Sequence, residues 1–287
     1  MATSPPASHR SSQPVLLLYA HPDDESFGCA GTIALLRERD VPVVLVSATR
    51  GEAGGISDAT LATPETLGEV REAELRAAMA LVGVSDVRFL GYRDSGMIGT
   101  ADNDDPRALA QAADQDVARA FAGIIREVRP STVLTFGPDG IYGHPDHLAV
   151  HRAASAAVTM QLDNASAWQI EALYYNAAPR ERIKAWSHRE NTPFFGLPDE
   201  ALDRMGTPAR EITHVIDVST HAALKRQVLG AHRTQVSANG PMADLPPEVV
   251  QGILGTEQFV RQPLPWDPDR TSQNILDTLP RGTLIID

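Results

Sequence analysis

Val15-Leu-Leu-Leu-Tyr-Ala20 is an unbroken apolar run of strand length. Runs of this kind suit parallel strands buried on both faces by helices. A polar turn, His21 to Phe27, separates it from Ala30 to Arg39, where Ile33, Leu35 and Leu36 fall at helical spacing, and Val41 to Ala48 is a second, β-branched run. The chain thus opens with a βαβ unit and commits itself to an α/β sheet. The alternation continues with a helix from Glu69 to Val82 that stops at Gly83, a strand over Val87 to Leu90 and a helix with Pro106 in its first turn that runs to Val128. Thr132 to Phe136 reads as strand four, Leu148 to Met160 as a small-residue helix and Ile170 to Tyr175 as a further strand.

Beyond Pro179 the pattern weakens, although Ile212 to Val218 still reads as a strand and Ala222 to Gln235 as a helix. The expected architecture is α/β and Rossmann-like: a mostly parallel sheet with helices on both faces. A polar, Ser/Pro-rich tail over residues 1–13 is expected to be disordered, and residues 14–287 to form a single domain. Residues 235–287, irregular and Pro-rich, are expected to cap the sheet or run along its edge.

With 287 residues the chain is long enough to bury a substantial core. Its 25 Lys+Arg against 37 Asp+Glu give a formal charge of −12, which disfavours a broad grip on nucleic acid or anionic lipid. Cys29 is the only cysteine, so the chain builds neither an intramolecular disulfide nor a Cys-based zinc finger. The apolar run near the start is too short for a signal-peptide core or a membrane span, and a cytoplasmic location is expected.

Two loops carry the chemistry. His21-Pro-Asp-Asp-Glu25 lies just beyond strand one, and Gly140-Ile-Tyr-Gly-His-Pro-Asp-His147 just beyond strand four. In a doubly wound sheet of order 3-2-1-4-5 those strands are neighbours, and a crevice opens outside their carboxyl ends. Two imidazoles and a carboxylate of the right type for zinc meet there, and His21, Asp24 and His147 are assigned as ligands. Adjacent side chains on a tight turn point apart, so Asp23 faces the water as general base. His144 becomes an electrophile or acid, Asp146 the carboxylate that orients it, and Tyr142 a second donor to an oxyanion. A lone His-Pro-Asp turn is ordinarily only a turn, and it is the pairing of two such loops across one crevice that points to a site. Neighbouring aspartates do not flank a sugar bond as a glycosidase pair does. Gly28-Cys-Ala-Gly31 lacks the first close glycine pair of a dinucleotide fingerprint.

These features resemble the PIG-L/LmbE-like superfamily of zinc-dependent N-deacetylases. The matching residues are His21-Pro-Asp-Asp-Glu-Ser26, Gly51-Glu52, Arg71-x-x-Glu74, His144-Pro-Asp-His147 and His232-x-Thr-Gln235. The resemblance implies a Rossmann-like fold and hydrolysis of an acetamide on an amino sugar, with Asp23 as base and His144 aiding the oxyanion. Arg93-Asp-Ser-Gly-Met97, followed by Ile98-Gly-Thr100, resembles the segment of a subgroup that deacetylates N-acetylglucosaminyl-inositol in mycothiol biosynthesis. By that analogy Asp94 bonds sugar hydroxyls, and Arg71 and Glu52 line the polar pocket. Ala30 stands where many relatives carry a glycine, on the packing side of the helix.

Three functions compete: an amino-sugar N-deacetylase, a mycothiol S-conjugate amidase using the same chemistry on another amide, and a metal-bearing sugar-binding module without turnover. Intact Asp23 and His144 argue against the last. The ligand set suits zinc and, with open positions, iron(II). The expected partner is a small N-acyl amino sugar. The leaving amine draws its proton from Asp23 or His144, and the sequence fixes no oligomeric state. Arg71 and Glu74 suit either a helix-surface ion pair or the pocket, and His232 either a solvated helix end or the site.

Overall fold

β1 (Val15–Tyr19) leads through a short turn into α1 (Asp24–Arg37), and β2 (Val43–Ser47) lies parallel to β1 with Val15 opposite Val43. This arrangement comes from a computed structural model that describes residues 13–163, 168–188, 194–236 and 247–284. The tail expected over residues 1–13 lies, apart from Gln13, outside the described residues. There follow α2 (Leu67–Leu81), β3 (Asp86–Phe89), α3 (Asp114–Val128), β4 (Thr132–Phe136), the single turn α4 (Gly140–Gly143) and α5 (Pro145–Thr159). The remaining elements are β5 (Ala172–Asn176), α6 (Arg180–Trp186), α7 (Asp199–Leu202), β6 (His214–Asp217), α8 (Ala222–Ala231), α9 (Pro247–Leu254) and β7 (Thr256–Gln262).

The strands form one sheet in the order β3-β2-β1-β4-β5-β7-β6. The first five are mutually parallel, and β7 is antiparallel to both β5 and β6. Every residue of β1, β2 and β4 is buried, as their continuous apolar runs require. α3 turns Val117, Phe121 and Ile125 inward and packs on α5, whose buried residues include Ala149, Ala153 and Ala157. α8 packs against α1 and α2. No helix among the described residues is long and apolar enough to cross a membrane.

Four expectations need correction. The C-terminal region is not simply a cap: β7 enters the sheet between β5 and β6, with Phe259 fully buried. Only the stretch after it follows the strands' amino ends, where Asn274 Nδ2 donates to Thr132 Oγ1 at 2.7 Å. Pro106 does not open α3. Its neighbours pair instead with Arg93, through Arg93 N–H to Arg107 O at 3.1 Å and Leu109 N–H to Arg93 O at 2.9 Å, and the helix starts at Asp114. α1 begins at Asp24 rather than Ala30 and is interrupted at Cys29, whose φ of −152° and ψ of 18° are not helical. α8 ends at Ala231, so His232 to Gln235 form a turn.

Candidate metal centre and active site

β1 and β4 are adjacent, with Val15 opposite Thr132, so the loops leaving their carboxyl ends meet. In the first loop the Asp24 carboxylate accepts the His21 backbone N–H at 2.7 Å, which folds the turn back on itself. In the second, Gly140 takes a left-handed φ of 55° and His144 caps α5, with Pro145 in the first helical turn and His147 just inside.

Three donor atoms converge. His147 Nε2 lies 3.2 Å from Asp24 Oδ1 and 3.3 Å from His21 Nδ1, and His21 Nδ1 lies 3.7 Å from Asp24 Oδ2. Bonds of about 2.0–2.2 Å to a tetrahedral ion separate its ligands by roughly 3.3–3.6 Å, so the triad fits a divalent metal. The far nitrogens are already used: His147 Nδ1 donates to Gly140 O at 3.0 Å and His21 Nε2 to the Asp146 carboxylate at 3.0 Å, so in a neutral ring the lone pair sits on the converging nitrogen. Burial pushes the His21 imidazole down, but Asp94, Asp146 and Asp24 outweigh it and hold it well above its usual value. Asp24 is buried too, yet His147 and His21 hold its carboxyl well below the usual range. His144 joins His21 and His147 in a second possible donor set, all within 4.8 Å.

Asp23 turns away from Asp24. Its carboxylate lies 3.3 Å from Arg71 Nη2, and the same nitrogen donates to Pro22 O at 2.7 Å. Burial raises Asp23 to about 6, against the pull of Arg71 and with a further push from Asp24. A cavity of about 300 Å³ opens over these groups. His21, Asp23 and Asp24 line it from the first loop, and Tyr142 and His144 from the second. Arg71, Asp94, Met97 and Gln235 also reach it, beside the bare backbone of Gly54 and Gly55. Gly51 has a φ of 70°, and a Cβ there would overlap the Arg71 guanidinium. Burial, with His21 and His147 close by, lowers His144 to about 4, so the ring is neutral at pH 7. Its Nδ1 accepts the Asp146 backbone N–H at 3.2 Å, which puts the ring hydrogen on Nε2.

The structure brings His21, Asp23, Asp24, Arg71, Asp94, Tyr142 and His144 to one cavity, with His147 buried against His21 and Asp24. Two expectations change. Asp146 presents its carboxylate to His21 and not to the His144 ring, because Ser95 fixes it there: the Ser95 backbone N–H donates to Oδ2 at 2.9 Å and the Ser95 hydroxyl to Oδ1. Glu52 is not among the lining residues; it sits behind Asp94 and accepts that residue's backbone N–H at 3.1 Å. Arg71 and Glu74 do not pair, since Glu74 accepts from Thr234 N–H and Oγ1 at 2.9 and 2.6 Å. His232 is fully buried. Ser95, Glu25 and Ser26 went unassigned although each lies inside a recognised motif, and the backbone cavity wall at Gly54 and Gly55 has no side-chain signal to read.

Comparison with known proteins agrees with this site. The PIG-L family, described as GlcNAc-PI de-N-acetylase, matches residues 16–158. A 1D-myo-inositol 2-acetamido-2-deoxy-alpha-D-glucopyranoside deacetylase 2 from Catenulispora acidiphila is 40% identical over 267 residues, covering 85% of this chain and 87% of that protein. Among solved structures, the N,N'-diacetylchitobiose deacetylase of Pyrococcus horikoshii superposes with a TM-score of 0.61 at 20% identity, over 88% of this chain and 84% of that one. The 4-carboxy-2-hydroxymuconate hydratase GalB of Pseudomonas putida gives 0.55 at 18%, over 87% and 95%. The last two share the fold alone, and one fold serving a deacetylase and a hydratase leaves the chemistry to the site. Fold and site define a Rossmann-like α/β protein with a His/Asp centre able to hold a metal ion. The chain belongs to the PIG-L family of de-N-acetylases.

Proposed function

We propose that this protein is a zinc-dependent hydrolase that removes the N-acetyl group from the glucosamine of an N-acetylglucosaminyl-inositol, the substrate class of mycothiol biosynthesis. The observation that carries the reading is the convergence of His21 Nδ1, Asp24 and His147 Nε2 beside a separate, half-buried carboxylate, Asp23, that lines one polar cavity. The inositol glycoside is supported by the 40% identity to a deacetylase named for it. A cavity of about 300 Å³ is at the small end of ordinary ligand sites, in keeping with a compact sugar.

His21, Asp24 and His147 would hold the ion, which when bound supplies Lewis-acid polarisation of the acetamide carbonyl and acidifies water. Asp23 takes a proton from the attacking water as its oxygen bonds the carbonyl carbon. The neutral His144 donates from Nε2 to the oxygen that becomes negative, and the Tyr142 hydroxyl is the second donor. When the C–N bond breaks, Asp23 returns its proton to the amine, because the N–H of a neutral imidazole such as His144 is a very weak acid. Acetate and the free amino sugar leave. Asp94 and Arg71 are assigned to the sugar hydroxyls, with Glu52 supporting Asp94 from behind. A cytoplasmic location goes with this reading and with the single, free thiol of Cys29.

The test is acetate and amine release by metal-reconstituted protein from N-acetylglucosaminyl-inositol, from free N-acetylglucosamine and from a mycothiol S-conjugate. Strong turnover of the inositol glycoside over the other two is expected. No acetate from either acetylated sugar, with turnover of the thiol conjugate, overturns the reading in favour of the amidase. Metal analysis after aerobic and anaerobic purification separates zinc from iron(II).

A further inference from the structure

His232, Thr234 and Gln235 have no part in the reaction as written, yet their segment touches three walls of the site. His232 leaves α8 with φ −83° and ψ 61°, and its ring is fully buried. Its Nε2 lies 2.9 Å from Ser26 Oγ and 3.2 Å from Glu25 Oε1. The Ser26 hydroxyl itself donates to Glu25 Oε1, so the imidazole Nε2–H is the donor to both. Nδ1 has no partner among the described residues. The other Glu25 oxygen accepts the Asp23 backbone N–H at 3.2 Å.

That N–H belongs to a strained residue. Asp23 has φ 118° and ψ −25°, a region that side-chain-bearing residues rarely enter. Such a backbone persists only where its surroundings over-determine it. Here the Ser26 and Phe27 amides grip Asp23 O at 2.9 and 3.0 Å, Arg71 grips Pro22 O at 2.7 Å, and Glu25 holds the N–H. Glu25 is fully buried, and its donors are the Ser26 hydroxyl, the His232 ring and the Asp23 amide. Without the ring, the carboxylate loses a donor in a dry site and has reason to turn.

The remainder of the segment ties down the other walls. Thr234 binds the Glu74 carboxylate on α2, one helical turn from Arg71, and its carbonyl accepts the Ser57 amide at 2.8 Å. Gln235 Nε2 donates to Gly55 O at 2.9 Å, on the loop that walls the cavity.

We propose that His232 is a positioning residue which, through Ser26 and Glu25, locks the Asp23 backbone in its left-handed conformation and so aims the carboxylate into the cavity. Thr234 and Gln235 act as its anchor to α2 and to the Gly51–Ser57 loop. This rests on Asp23 being the base of the proposed deacetylase, but the hold on the Asp23 backbone is measurable without turnover. Asp23→Gly and Asp23→Ala both remove the carboxylate, and only glycine takes a φ of 118° freely. In the otherwise native chain Asp23→Gly is expected to melt several degrees above Asp23→Ala. In a His232→Ala background the released loop relaxes, and the gap closes. An equal gap in both backgrounds overturns the proposal. If His232→Ala does not fold, Ser26→Ala and Glu25→Gln interrupt the same hydrogen-bond chain and must close the gap in its place.

The activity arm reads the consequence. His232→Ala should lower kcat roughly 10- to 100-fold, the effect of a base misplaced by a fraction of an ångström to an ångström, with KM and bound metal within about twofold. His232→Gln, whose amide can donate where Nε2 does, should recover most of that loss. An unchanged kcat, or a change confined to KM, overturns the proposal. Should the native chain turn over none of the three amides, the functional reading fails while the melting comparison still decides the role of His232.

Discussion

The Asp146 carboxylate binds Nε2 of His21 at 3.0 Å, on the side of the ring facing away from the ligand triad. Ser95 holds that carboxylate with both its backbone amide and its hydroxyl. Carboxylates placed behind a ligating imidazole fix its tautomer and raise its basicity, and their loss typically weakens metal binding about 10- to 100-fold. Asp146→Ala is therefore expected to lose metal affinity in that range in a chelator competition, and Ser95→Ala to lose a smaller share. Native affinity with a collapsed kcat would return Asp146 to the role expected from its sequence, that of orienting His144.

Asp23 and Asp24 are neighbours with divided tasks: Asp24 Oδ1 lies 3.2 Å from His147 Nε2, and Asp23 faces Arg71. Asp24→Ala should therefore purify without metal. Asp23→Ala should hold its full metal equivalent and lose about 10²–10⁴-fold in kcat, the usual worth of a positioned base. Metal content and single-turnover acetate release, measured on the two proteins side by side, check the division. Metal loss in both, or in neither, contradicts it.

How far the sequence told this story depends on where each signal lies. The order β3-β2-β1-β4-β5 follows from buried apolar runs separated by helices, and it carries the crevice with it. β7 escaped because Thr256-Glu-Gln-Phe-Val-Arg-Gln262 is broken by polar residues that are paired outside the strand: Glu257 with Lys225, 32 positions earlier, and Arg261 with Asp267 and Asp277 in the stretch that follows. The same limit explains Asp146. Two residues from His144 in sequence, it is bound in space by Ser95 and His21, 51 and 125 positions away. That His21, Asp24 and His147 meet in space was legible because the strand ends that carry them are adjacent in any sheet of this order.

The base has a pH dependence of definite sign. Burial raises Asp23 to about 6, and Arg71 opposes the rise. Asp23 works as the carboxylate, so kcat/KM should fall as pH drops through about 6. Arg71→Met removes the opposing cation and favours the protonated acid, so the acidic limb should move to higher pH. A profile from pH 5 to 8 on both proteins reads the shift. A limb that stays in place, or moves to lower pH, would separate the guanidinium from the base.

The Lys225–Glu257 pair tests how the late strand serves the early loop. The Lys225 ammonium lies 2.6 Å from Glu257 Oε1, both groups are buried, and the carboxylate also accepts the Gly31 and Thr32 amides at 2.9 and 2.7 Å. Those amides are free to be capped because α1 is interrupted at Cys29, so its second half starts with unsatisfied donors like any helix. Removing one member of a buried pair strands the other, at a cost of about 3–5 kcal/mol. Glu257→Gln and Lys225→Met should each destabilise the protein by about that much in urea unfolding. The double variant Lys225→Met/Glu257→Gln strands no charge and keeps one acceptor for the amides, so its loss should be well below the sum of the single losses. Additive losses would mean that the two groups stabilise the fold separately, and that the break at Cys29 is held by packing such as Gly31 against Val218.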